Sequence, residues 1–335
     1  MIKSCVVRGA CCVQRVRDTT SGFVKAVHAP RTTHHALAIV CLVLGAGCTS
    51  SNITEPGPGA GGRVYFASDR ENNNFEIYSI SGDGRALRRL TNDNQHNDRA
   101  PVASGDGRLI AWVREVAGAG GSVATTEIWV MNSDGSGPKV VVQNGSFNQN
   151  PSWTADAGGL VFASFVTGNW EIFRIPVSAG TATNLSNNEF ADQNPRVSPD
   201  GSKIVFHSNR DLNFEIYVMN LDGGAPTNLS NSGNDDRFPN WLPDGTGIIW
   251  SRFIETFDLF VMASDGSSQR SVLASGFNEN NASVSPDGKS VVFETNRLGG
   301  STALFTVPVA GGEAVPLTGR GGAAAGSEIE PWWSN

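Results

Sequence analysis

Short apolar triplets, each closed by an aromatic residue, punctuate the chain at a nearly fixed interval. They read VYF to Phe66, IAW to Trp112, LVF to Phe162, IVF to Phe206, IIW to Trp250 and VVF to Phe293, at spacings of 46, 50, 44, 44 and 43 residues. A second segment follows each one: FEIYSI (Phe75–Ile80), TEIWVM (Thr126–Met131), WEIFRI (Trp170–Ile175), FEIYVM (Phe214–Met219), FDLFVM (Phe257–Met262) and TALFTV (Thr302–Val307). These segments alternate with period two and are rich in β-branched and aromatic residues, which predicts strands. A third apolar position recurs at Leu90, Val142, Leu185, Leu229, Leu273 and Leu317, the last four spaced by 44.

Polar punctuation separates the strands. Asp-Gly occurs eight times, at Asp83, Asp106, Asp134, Asp200, Asp222, Asp244, Asp265 and Asp287. Between alternating apolar runs it marks a tight hairpin, because glycine takes a positive φ without steric cost. The regular place of these aspartates assigns them to turns rather than to a metal. A fourth segment precedes the Asp-Gly that opens each repeat, around Pro101, Pro151, Pro195, Pro239 and Ala282. It is found five times, and its sixth copy is the last stretch of the chain, EPWWSN (Glu330–Asn335).

Four short strands per unit at this period predict an all-β fold, a six-bladed β-propeller of four-stranded blades. The C-terminal strand is expected to complete the N-terminal blade and close the ring. The recurring aromatics Phe66, Trp112, Phe162, Phe206, Trp250 and Phe293 are expected to form the packing between blades.

Composition narrows the function. Gly is 39 of 335 residues, as a turn-rich chain requires. All five cysteines lie at or before Cys48, so the repeats hold no disulfide, thiol nucleophile or cysteine-bound metal. The apolar run ALAIVCLVLGAG (Ala36–Gly47) follows Arg31 and has the length of a signal-peptide core rather than a membrane span. It ends in LGAGC, which resembles a lipoprotein lipobox with Cys48 as the lipidated residue; Leu44 stands one place earlier than usual. The expected organisation is a signal peptide over 1–47, a lipidated Cys48 with a flexible linker over 48–62, and a propeller over 63–335. The protein is then lipid-anchored in the periplasm or outer membrane, touches membrane by that anchor only, and is secreted if unlipidated. Without residues 1–47 the net charge falls from −7 to −12, which excludes nucleic acid as a partner.

The stretch NPRVSPDGSKIVFHSNRDLNFEIYVMNLDGG (Asn194–Gly224) resembles the blade repeat of the TolB-type propeller family, and the resemblance covers about Val64–Asn335. The α/β domain that precedes the propeller in TolB has no counterpart between Cys48 and Val64. No G-x-S-x-G nucleophile elbow is present, as related oligopeptidases require. The resemblance therefore implies a lone, non-catalytic scaffold, a monomer without cofactor or metal. Its implied partner is an envelope protein or peptide, with a peptidoglycan-associated lipoprotein as the example TolB offers. The alternative is a propeller hydrolase or glycan-binding module that uses channel carboxylates.

Strand direction puts the long, variable loops on one face and the short Asp-Gly turns on the other, and functional residues concentrate on variable loops. By analogy with WD-type propellers the Pro-containing strand lies innermost. The residues leading into it would ring the central channel: Asp98 and Arg99, Asn148 and Asn150, Asp192 and Asn194, Asp236 and Arg237, Glu279 and Asn280, Glu328 and Glu330. Such carboxylates, amides and arginines suit hydrogen-bonded recognition of a peptide. His207 is expected to pack within its strand, and the Gly-rich insertion Val116–Ala124 makes blade two asymmetric.

Overall fold

In the computed structural model the described residues are 61–335, apart from 72, 179, 319–325 and 335, together with Ser4–Val7 and Ala10–Val13. The chain divides into two units, Met1–Ile53 and Thr54–Asn335. In the first, Ser4–Val7 and Ala10–Val13 pair as an antiparallel hairpin. Of the expected signal peptide over 1–47 only these two strands are described; Cys48 and the expected linker up to residue 60 lie outside the described residues. No described helix is long and apolar enough to cross a membrane.

Six four-stranded antiparallel sheets make up the second unit. Blade four shows the pattern: inner strand Asp192–Val197, second strand Lys203–Ser208, third strand Glu215–Asn220, outer strand Thr227–Asn228. Blades two, three, five and six follow the same order, with inner strands Asp98–Ala103, Asn148–Trp153, Asp236–Trp241 and Glu279–Val284. Blade one is built from both ends of the chain. Its inner strand Glu328–Ser334 pairs with Arg63–Ser68, placing Trp332 opposite Tyr65 and Trp333 opposite Val64. The ring is closed by the last strand, as the repeat count predicts.

The second strands lie between neighbouring blades and are covered on both faces, so they read as continuous apolar runs rather than alternating ones. In Gly159–Ser164 every residue is buried. The six recurring aromatics are all fully buried. Each stacks on an aromatic of its third strand, with centroids 5.7–6.4 Å apart, from Phe66–Tyr78 round to Phe293–Phe305.

Each inner strand carries one β-bulge at its second and fifth residues, as between Gln193 and Arg196. The residue before the Pro (or Ala282) takes a left-handed backbone: Ala100, Asn150, Asn194, Phe238, Asn281 and Glu330, with φ between 49° and 54°. The bulge turns this residue out of its own ladder. Asn tolerates the conformation well, which accounts for its use at three of the six positions.

Candidate functional site: the loop face and its plugged channel

The acids expected at the channel mouth have a different position. Asp98, Asp192, Asp236 and Glu279 are fully buried, and Glu328 is 2% exposed. Each is clamped by an arginine from the end of its second strand or the loop after it. Arg114 holds Asp98 through two bonds of 2.8 and 2.9 Å. Arg210 holds Asp192 at 2.9 Å, Arg252 holds Asp236 at 2.7 Å, and Arg297 holds Glu279 at 2.7 Å. Arg70 pairs with Glu328. The same guanidinium lies 4.6–5.0 Å from the aromatic of the third strand in all five blades. The recurring S-x-R loops thus have a structural role. Ser68 and Ser208 accept from the guanidinium Nε of Arg70 and Arg210 and hold the side chain over the blade. These carboxylates are engaged inside the blades and do not face a ligand.

Blade three departs from the rule. Its inner strand begins with Asn148, also fully buried. Val166 stands where the S-x-R arginine would be. The Asn148 amide donates to the carbonyl of Thr126 and to Asn144 Oδ1, both at 2.8 Å. Acid and arginine are absent together, so no buried charge is left uncompensated.

The remaining expected residues lie nearer the surface. Arg99, Asn150 and Arg237 are partly exposed, and Asn194 is 6% exposed. Arg99 pairs with Glu115 at 2.9 Å and lies 3.9 Å over Phe75; Arg237 pairs with Asp235 at 2.7 Å and lies 4.1 Å over Phe214. The left-handed residues line the mouth of the channel, and below them the channel is closed. Arg196 of blade four reaches Trp332 of blade one, directly across the ring, with its guanidinium carbon 5.6 Å from the ring centroid. Arg196 also donates to the Pro195 carbonyl at 3.0 Å. The cavity left at this level is about 20 Å³, room for about one water. A separate bowl of about 220 Å³ opens on the turn face, with Trp153, Trp241 and Trp333 in its wall.

Two titratable groups sit at matching positions on second strands. The Glu294 carboxylate accepts the N–H of Glu330 at 2.6 Å, and His207 Nδ1 accepts the N–H of Phe238 at 3.3 Å. Both donors are left-handed residues of the next blade's inner strand. Burial, with Glu330 beside it, pushes Glu294 up to about 7. Burial, with the Arg237 and Arg196 cations nearby, holds His207 down at about 3. Burial raises Glu330 as well, and its carboxylate accepts the N–H of Ala100 at 2.8 Å. His207 is a neutral packing residue, as its strand position predicts.

Apolar surface is distributed unevenly. Among the described residues, thirteen large hydrophobics are exposed; eight of them lie in the long loops of one face, and Val123 and Phe253 end strands beside those loops. Five are phenylalanine-rich contact points spread from blade three to blade six: Phe147, Phe165, Phe190, Phe253 and Phe277. None lies in the Asp-Gly turns that open the repeats. Sequence reading assigned function to this face through its polar residues and missed these aromatics. The signal was present, since phenylalanines recur in otherwise polar Gly/Asn/Ser loops. One asymmetric feature here is a cavity of about 370 Å³ between blades two and three, lined by Val113, Val123, Phe147 and Trp170 and by Arg99, Glu115, Gln149, Asn150 and Glu330. Among the described residues no three His, Cys, Asp or Glu side chains are grouped to hold a metal ion.

Residues 122–335 match the family model described as the TolB beta propeller domain. Among solved structures the chain is similar to TolB from Acinetobacter baumannii, with a TM-score of 0.70 and 20% identity, covering 82% of this chain and 66% of that one. It is also similar to an oligogalacturonate lyase from Vibrio parahaemolyticus, with a TM-score of 0.51 and 14% identity, covering 75% and 73%. A puromycin-hydrolyzing peptidase from Mycobacterium tuberculosis gives 0.54 and 14%, covering 72% and 41%. At these identities the likeness establishes the fold. The chain spans just under two thirds of the A. baumannii protein. A search of curated proteins finds no match.

Proposed function

The chain belongs to the TolB beta-propeller family, and on that premise we propose that it is a non-catalytic scaffold of the bacterial cell envelope that holds a protein partner on its loop face. The observation that carries this reading is the gathering of ten of the thirteen exposed large hydrophobics in the loops and adjoining strand ends of that one face. Exposed apolar side chains gathered on one face beside polar ones are a usual mark of a protein-binding site. The rim is supplied by the paired Arg99 and Arg237 and by Asn150 and Asn194 at the channel mouth. Lipidation of Cys48 would keep the scaffold at the periplasmic or outer membrane, and a peptidoglycan-associated lipoprotein is the first partner to try. Propeller neighbours that are hydrolases or lyases share the fold, and fold does not fix function.

The test uses the protein with Phe190→Ser/Phe277→Ser as its control. The two are immobilised side by side and offered envelope extract or the purified lipoprotein. The expected result is a defined protein captured by the natural sequence and lost with the control. Equal capture by both would refute the loop face as the binding surface.

A further inference from the structure

We propose that the cavity between blades two and three is an anchor site for an uncharged aromatic side chain presented by the partner, read together with its flanking peptide groups. This rests on the loop-face reading above and adds the chemistry of the contact.

Blade three is the blade in which both members of the buried acid–arginine pair are replaced, by Asn148 and Val166. No guanidinium therefore covers its third-strand aromatic Phe173, and loops 143–151 and 164–170 contain no charged residue. Of the charges that border the cavity, Arg99 pairs with Glu115 at 2.9 Å, while the Glu330 carboxylate accepts the Ala100 N–H and is raised toward its neutral form by burial. A charged side chain entering here would lose hydration and find in Glu330 only a poor counter-ion. An uncharged one meets Val113, Val123, Phe147 and Trp170. Trp170 is held edge-on against Phe165 with centroids 5.5 Å apart, so one aromatic wall is set before binding. The amides of Gln149 and Asn150 line the opposite side and suit the C=O and N–H groups of a peptide backbone. At about 370 Å³ the cavity falls in the ~300–1,000 Å³ range of ligand clefts. A sugar ring could stack on Trp170 too. The apolar crown continuing over blades four to six favours a macromolecule with an apolar surface over a lone saccharide.

The probes are N-acetyl-L-tryptophanamide and N-acetyl-L-phenylalaninamide, with N-acetyl-L-lysinamide and diacetylchitobiose beside them, followed by ligand-observed saturation-transfer NMR on the whole protein. The aromatic amides are expected to bind and the lysine amide is not. Affinity should fall about tenfold with Phe147→Ser or Trp170→Ser and stay unchanged with Leu87→Ser, an exposed position on the turn side of blade one. Val123→Asp, at an exposed position of the lining, gives a second check that keeps the fold and should also weaken the aromatic probes. Failure of every probe to bind folded protein overturns the proposal, and so does binding of diacetylchitobiose alone at Phe147 and Trp170. Partner capture that persists in the Phe147 and Trp170 variants would remove the anchor role while leaving the loop-face reading intact. Probe binding without any captured partner would do the reverse.

Discussion

A guanidinium laid over an aromatic ring and clamped to a buried carboxylate is the smallest unit that repeats in this ring. Its energetics are asymmetric. Removing one charge of a buried pair typically costs about 3–5 kcal/mol, because the other charge stays buried without a partner. Asp192→Ala and Arg210→Ala are each expected to lower unfolding free energy by roughly that amount in urea titrations. Asp192→Asn/Arg210→Val copies blade three and should cost less than either single change, a non-additivity that a double-mutant cycle measures directly. The proton-linked groups give a second prediction. Glu294, raised to about 7 in the fold, binds more protons folded than unfolded, so its contribution to stability is lost as pH rises from its ordinary 4.5 through 7. His207, held at about 3, has the opposite sign: its contribution is present above 6.5 and lost as pH falls. Relative to the natural sequence, Glu294→Gln should gain stability between pH 5 and pH 8, as thermal melts across that range would show. A gap that does not change with pH would refute the assignment. The acids at 98, 192, 236, 279 and 328 were legible as a recurring set. Their destination was not, because the arginines that hold them come from the end of the second strand or the loop after it and meet the acids only when the sheet pairs. Blade three held the clue, since acid and arginine disappear there together.

Among the elements, the inner strand has the most distinctive design. Its bulge and its left-handed residue point backbone N–H groups at the neighbouring blade, where Glu294 and His207 receive two of them. The Trp indoles add longer stitches, from Trp153 to the Val102 carbonyl and from Trp241 to the Arg196 carbonyl, both at 3.0 Å. The last strand does the same work and also carries the closure. Trp333 is 5% exposed, its N–H bonded to Ser283 Oγ at 2.9 Å. Trp333→Ala alone is expected to cost about 3–5 kcal/mol. Deleting residues 330–335 should lower the melting temperature of all six blades in a single transition, as calorimetry would show; an unchanged melt would refute closure as a source of stability. Strand number, order and pairing were open to sequence reading because the apolar triplets and Asp-Gly turns recur. The bulge was not, since it depends on packing against the next blade rather than on local propensity.

For the molecule as a whole, repetition fixes the ring and departures from repetition fix the faces. Phe190→Ser/Phe277→Ser should lower stability by only about 1 kcal/mol, because both side chains are partly exposed in loops, yet abolish partner capture. A denaturant curve and a pull-down read the two effects separately. The ring could be counted in the sequence. That Arg196 faces Trp332 could not, because the contact joins residues far apart in the chain that become neighbours only when six blades close. This bridge has a kinetic consequence. A channel open at both ends could thread a chain and hold it topologically, so that release would require the whole segment to pass through. With room for about one water at that level, this ring admits no segment, and folded partners dock on its faces and leave without unfolding.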